Sequence, residues 1–217
     1  MKKSLSLTII FPAIVLIAGI FFYFSAGSTY QAEIDQTAII SDKTNLLPIT
    51  DIKLIEPVDG FKERITKKPF GIFITPETSP VRPDKFTGYH TGVDAEFINN
   101  QEEIPVRAIA DGAILVRAHA PGYGGVVVIK HIINGVSLIA LYGHLDPASF
   151  LPANISEVQA GDRISILGDG YSEETDGARK HLHFAIYTDR GDEKIDFRGY
   201  VKTEEELATW FNPLDFY

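Results

Sequence analysis

The chain reads as a mainly β protein: a small antiparallel sheet or barrel-like domain, preceded by an N-terminal transmembrane helix and followed by a short C-terminal helix. Three observations carry this reading. Short runs rich in Val, Ile and Leu recur from Ile104 onward. Turn signals separate them, notably Asp111-Gly112, Pro121-Gly122-Tyr123-Gly124-Gly125 and Asn134-Gly135. No helix of consequence is legible after the first apolar run until Thr203-Glu204-Glu205-Glu206. Short strands at close spacing with such punctuation mark an antiparallel domain.

In order, Met1-Lys2-Lys3 is a basic start, and no further charge appears until Glu33. Leu5 to Phe24 is a run of about 20 mostly apolar residues, long enough as a helix to span roughly 30 Å of hydrocarbon. Residues 1–27 are expected to anchor the chain in the cell membrane by a single pass, with the lysines inside and the remainder outside the cytoplasm. The alternative is a cleaved signal peptide ending at Ser25-Ala26-Gly27 and a secreted product. Residues 28–51, polar and aperiodic, read as a tether. Residues 52–217 are expected to form the β-domain. Ile52 to Ile55, Phe70 to Ile74, Ile104 to Ile109, Ala113 to Arg117, Val126 to Ile132, Val136 to Tyr142, Arg163 to Leu167 and Phe184 to Tyr187 are its candidate strands. Asn134-Gly135 between two apolar runs predicts a tight hairpin. Thr203-Glu204-Glu205-Glu206 has capping-box spacing and opens a helix toward Phe211, which Asn212-Pro213 ends.

Composition narrows the function. With 217 residues, of which 45% are hydrophobic, the chain can hold one real core plus attachments. Its net charge of -9 argues against nucleic acid as a partner. There is no cysteine, so disulfides are excluded and a metal would be held by His and carboxylates.

Lys180-His181-Leu182-His183-Phe184 stands out chemically. Strand side chains alternate, so His181 and His183 share a face and Leu182 takes the other. Two imidazoles on one face are either the start of a metal site or surface residues on a strand edge. His90-Thr91-Gly92-Val93-Asp94 is the second stretch. In one extended strand His90 and Asp94 would share a face, and with His183 they would make two imidazoles and a carboxylate. Catalytic zinc takes three such ligands and leaves a fourth position open. A plain hydrogen bond between His90 and Asp94 is the alternative. His144, in Leu141-Tyr142-Gly143-His144-Leu145, closes a candidate strand and is placed to reach into a groove.

These stretches, together with Pro105-Val106-Arg107-Ala108, Gly122-Tyr123-Gly124 and Val158-Gln159-Ala160-Gly161-Asp162, resemble the lysostaphin-type zinc metallopeptidases. The likeness runs from about residue 89 to 187. It implies a mostly antiparallel β-domain with zinc in a long groove, acting on the peptides of bacterial cell-wall peptidoglycan. It also implies His90, Asp94 and His183 as zinc ligands, with His144 and His181 as the two non-ligand histidines beside the reacting water. The segment Ser172 to Lys180 departs from the family's pattern, being longer and charged, and Ala185 stands where Glu is frequent. His131 is expected to be structural, His119 a surface residue, and Glu96, Glu102 and Glu103 solvated loop charges. The loop Thr75 to Thr87 could supply a segment that covers the groove. Two rivals remain at this stage: a metal-free wall-binding module of the same fold, which would lack ligands, and a cupin-like iron protein, in which the His-x-His pair usually comes early.

Overall fold

The computed structural model describes residues 54–97, 102–191 and 194–217. The expected membrane helix and tether lie outside them. Among the described residues no helix is long and apolar enough to cross a membrane.

The described residues form twelve strands: β1 (Phe73–Ile74), β2 (Gly88–His90), β3 (Val93–Glu96), β4 (Pro105–Arg107), β5 (Gly112–Ala120), β6 (Gly124–Ile133), β7 (Val136–Leu145), β8 (Glu157–Val158), β9 (Arg163–Ile166), β10 (His181–Thr188), β11 (Tyr200–Val201) and β12 (Trp210–Phe211). All recorded pairings are antiparallel. The large sheet is open and runs β12-β10-β7-β6-β5-β8, with β3 also on β10. Two small sheets, β1-β2-β11 and β4-β9, flank it.

The β6–β7 hairpin forms where Asn134-Gly135 predicted it. Both turn residues have positive φ, 52° and 78°, the conformation of a type I′ turn that suits Asn-Gly. Alternation along the central strands packs both sheet faces. Val127, Ile129, Leu138, Ala140, Tyr142, Leu182, Phe184 and Ile186 join one core, and Val126, Val128, Ile139, Leu141, Ala185 and Tyr187 join the other. His181 and His183 lie on the second face, in step with Ala185 and Tyr187.

Three expectations are corrected. Ile104 to Ile109 and Phe70 to Ile74 yield only the short strands β4 and β1. Of Ile52 to Ile55, the described Leu54 and Ile55 are outside any strand. The C-terminal helix is a single turn, α1 (Glu204–Leu207). Its Thr203 cap forms as expected, with Thr203 Oγ1 accepting the Glu206 N–H at 3.3 Å. The chain then turns to strand because Trp210 and Phe211 pair with Tyr187 and Ile186 on β10, and Trp210 is buried against the Tyr187 ring at 4.6 Å.

Candidate metal centre

Asp94 and His183 face each other directly in the β3–β10 register. His90 arrives from a different sheet, at the end of β2 opposite Tyr200 on β11. The expectation of one extended strand from His90 to Asp94 is therefore wrong, although the two side chains do converge. The chain bends at Thr91-Gly92, between β2 and β3. Gly92 is what lets it do so against β10, since a Cβ there would run into the Phe184 carbonyl. Glycine inside a strand pattern signals such a close approach.

The three ligand-type atoms form a small triangle. His90 Nε2 is 3.1 Å from His183 Nδ1 and 3.2 Å from Asp94 Oδ1, and His183 Nδ1 is 3.1 Å from Asp94 Oδ1. His90 Nδ1 is 3.2 Å from the Pro69 carbonyl. A carbonyl only accepts, so Nδ1 carries the proton and the Nε2 lone pair points into the triangle. Three atoms able to accept thus crowd one point, which a cation relieves. Tetrahedral zinc with ligands at about 2.0–2.1 Å would hold those atoms roughly 3.3 Å apart, so the residues fit the ion. Among the described residues this is the one group of three able to hold a metal.

His144 and His181 stand beside the triangle, their rings 4.2 Å apart. His181 Nδ1–H donates to the Arg179 carbonyl at 2.8 Å, and His144 Nδ1–H to the Thr175 carbonyl at 3.2 Å. Each keeps Nε2 as its basic atom. His181 Nε2 lies 3.4 Å from Asp94 Oδ2. His144 owes its direction to a bulge. Gly125 pairs with Leu145 and Val126 with Gly143, leaving His144 as the extra residue on β7, with φ of 65°. Bulges re-aim side chains in this way.

Burial dominates the proton equilibria. It pushes the His144 imidazole down to about 3 and His181 well below its ordinary value, and it lowers His183. Asp94 is the reverse case. Burial opposes its charge, but His181, His90 and His183 around it hold its carboxyl well below the usual range. Burial thus favours the neutral forms of His144, His181 and His183 beside one carboxylate.

Above these residues opens a cavity of about 610 Å³, lined by His144, His181 and His183 together with Lys68, Phe86 and Tyr123. Residues 81–87 form part of its wall, with Phe86 stacked on Tyr200 at 5.1 Å. The loop Thr75 to Thr87 therefore borders the cavity, and it adds no side chain to the three-residue cluster.

Sequence reasoning missed three buried charges here. Glu96, expected as a solvated loop charge, is 9% exposed and bonds to Arg179 at 2.8 Å. Arg179 also reaches Asp94 Oδ2 at 2.9 Å. Lys68 is buried and bonds to Asp84 at 2.5 Å and Tyr200 Oη at 2.8 Å. Asp94-Ala95-Glu96 on a strand, which places two carboxylates on one face, was the available signal for Glu96. Lys68 carried none. Glu102 and Glu103 are exposed, as is His119, whose Nε2 lies 3.2 Å from the Glu173 carbonyl.

A β-domain carries a cavity over convergent histidines and a carboxylate, and comparison with known proteins makes the class a peptidase. The chain belongs to peptidase family M23, whose sequence profile matches residues 88–197; this is the lysostaphin-type family that its motifs resemble. The DD-carboxypeptidase/endopeptidase Mpg of Neisseria meningitidis is 38% identical over 96 residues, 44% of this chain and 19% of the relative. Its counterpart in Neisseria gonorrhoeae matches to the same extent. The chain thus spans only a fifth of the length of these curated relatives. Solved structures similar to it include Helicobacter pylori Csd3, at 24% identity and TM-score 0.45 over 75% of this chain and 32% of that one. LytU matches at 24% identity and TM-score 0.44, over 69% of this chain and 81% of that one. A zinc-containing peptidase from Vibrio cholerae matches at 27% identity and TM-score 0.37, over 60% and 35%.

Proposed function

We propose that the chain is a zinc-dependent endopeptidase that hydrolyses peptide bonds of bacterial cell-wall peptidoglycan, working outside the cytoplasm from an N-terminal membrane anchor. The observation that carries this reading is the triangle of His90 Nε2, Asp94 Oδ1 and His183 Nδ1, with two further imidazoles at its edge. A zinc ion held there would supply the positive charge that acidifies water and polarises a peptide carbonyl. His90, Asp94 and His183 would hold the ion. His144 and His181, neutral and with Nε2 unprotonated, are the bases able to take a proton from the attacking water. Once protonated, the same imidazoles can stabilise a developing oxyanion and return a proton to the leaving amine. The carbonyls of Thr175 and Arg179 fix both rings in the tautomer this requires. The family and its Neisseria relatives support peptide bonds of the cell wall as the substrate.

Digestion of purified peptidoglycan with and without a chelator, read by mass spectrometry, tests the proposal. New peptide termini that appear only without chelator, and return when zinc is restored, are the expected result. Release of the same fragments in excess chelator, or of none under any condition, contradicts it.

A further inference from the structure

The cluster that departs from the family's pattern is the one made by Arg179. We infer that Arg179 is a positioning residue that restricts Asp94 to one coordinating oxygen and so keeps the remaining corner of the metal site open. The inference rests on the metal-site reading above and adds to it.

The two oxygens of Asp94 have separate partners. Oδ1 faces His90 Nε2 and His183 Nδ1 at 3.2 and 3.1 Å. Oδ2 accepts the Arg179 Nη2–H at 2.9 Å and has His181 Nε2 at 3.4 Å. A carboxylate that binds with both oxygens occupies two coordination positions. With His90 and His183 in place, four-coordinate zinc would then have no corner left for solvent or substrate. A charge-assisted hydrogen bond on Oδ2 works against that outcome by lowering this oxygen's donor strength and holding the carboxylate's orientation.

Glu96 completes the device. A bare guanidinium this near a divalent cation would repel it. Glu96 accepts from Arg179 Nε through both carboxylate oxygens, at 2.8 and 3.1 Å, and its Oε1 also bonds to Nη2. The cation is thereby neutralised while Nη2 remains on Asp94. The fold brings the parts together. Asp94 and Glu96 share a face of β3, Glu96 pairs with His181 on β10, and Arg179 lies two residues before His181. The loop that carries it is tightly made, with the Asp169, Ser172 and Ala178 carbonyls all within 3.3 Å of Thr175 Oγ1, whose one proton is nearest Ala178 at 2.9 Å, and the Tyr171 N–H donating to the Ala178 carbonyl at 2.6 Å. Arg179 is 7% exposed and lines the cavity. A purely structural ion pair would need Glu96 alone; the added bond to a ligand oxygen is what gives the residue its role.

The test uses the full chain loaded with Co²⁺, whose visible absorption falls in intensity when coordination rises from four to five. Two variants are compared with wild type: Arg179→Met/Glu96→Met, which removes both buried charges together and so avoids stranding one, and Arg179→Lys, which keeps the charge but loses the fork. The expected result is a weaker visible band in the double variant and a 10–100-fold loss of Zn²⁺ affinity in chelator competition, about the effect of losing a group that orients a ligand. Arg179→Lys should fall between. If the double variant does not fold, Arg179→Lys alone decides, by the same band and the same competition. Spectra identical to wild type with affinities within about twofold overturn the role of Arg179 and leave the metal site standing. Failure of wild type itself to bind Co²⁺ or Zn²⁺ overturns both.

Discussion

Histidines are buried on both faces of the large sheet, and the two faces use them differently. His131, on β6 beside Val127 and Ile129, has both nitrogens engaged. Nδ1–H donates to the Asp111 carbonyl at 3.0 Å, and Nε2 accepts from the Tyr142 hydroxyl at 3.4 Å, which itself accepts the Ile109 N–H at 3.2 Å. On the other side His90, His144 and His181 each spend one nitrogen on a backbone carbonyl and turn the other toward a shared space. Burial does not separate the groups, for His131 and His90 are both 0% exposed. What separates them is whether the second nitrogen is already satisfied within the protein. A closed hydrogen-bond chain holds a fold together, whereas a half-satisfied ring aimed at its neighbours is equipped to hold a metal or move a proton.

The largest expected effect lies on the half-satisfied side. His144→Ala and His181→Ala should each lower the hydrolysis rate about 10²–10⁴-fold while metal content stays at the wild-type level. Rates and metal analysis on the same preparation check this, and a variant that keeps wild-type turnover removes its histidine from the mechanism. His131→Phe should do the opposite. It strands the Tyr142 hydroxyl and the Asp111 carbonyl, costing about 1–3 kcal/mol of stability in denaturant unfolding, with kcat unaltered. A fall in kcat without loss of stability would erase the contrast.

A pH dependence is common to both sides. Burial lowers the folded-state values of His131, His144, His181 and His183, whereas an unfolded His titrates near 6.5. Below that pH the unfolded chain binds more protons, so the metal-free protein loses stability as pH falls from about 6.5 toward the folded-state values. Each imidazole contributes up to about 1.4 kcal/mol per pH unit once its unfolded form is protonated. Denaturant unfolding in chelator between pH 7 and 5 measures the slope, and His131→Phe should flatten it by one group's share.

Much of this was legible in the residues themselves. Asn134-Gly135 announced the central hairpin because its turn demands positive φ. His181-Leu182-His183 announced a shared face because strand alternation leaves no other option. The failures have physical causes too. An extended run from His90 to Asp94 left no place for a bend, yet the missing Cβ of Gly92 is what allows β2 and β3 to part around the Phe184 carbonyl. His144 looked like a residue at a strand end, and the bulge that aims it depends on the pairing of β6 with β7, which local sequence does not encode. Trp210 and Phe211 lost their helix to the free edge of β10. Arg179 and Glu96 were unreadable as partners because 82 intervening residues separate them and only the β3–β10 register joins them.

The most direct test is zinc content per chain, measured by mass spectrometry of the purified protein and of Asp94→Ala, each dialysed against limiting zinc and shown to be folded. The account predicts one ion per wild-type chain and almost none in the variant. Wild type without zinc, or Asp94→Ala carrying as much as wild type, would contradict it.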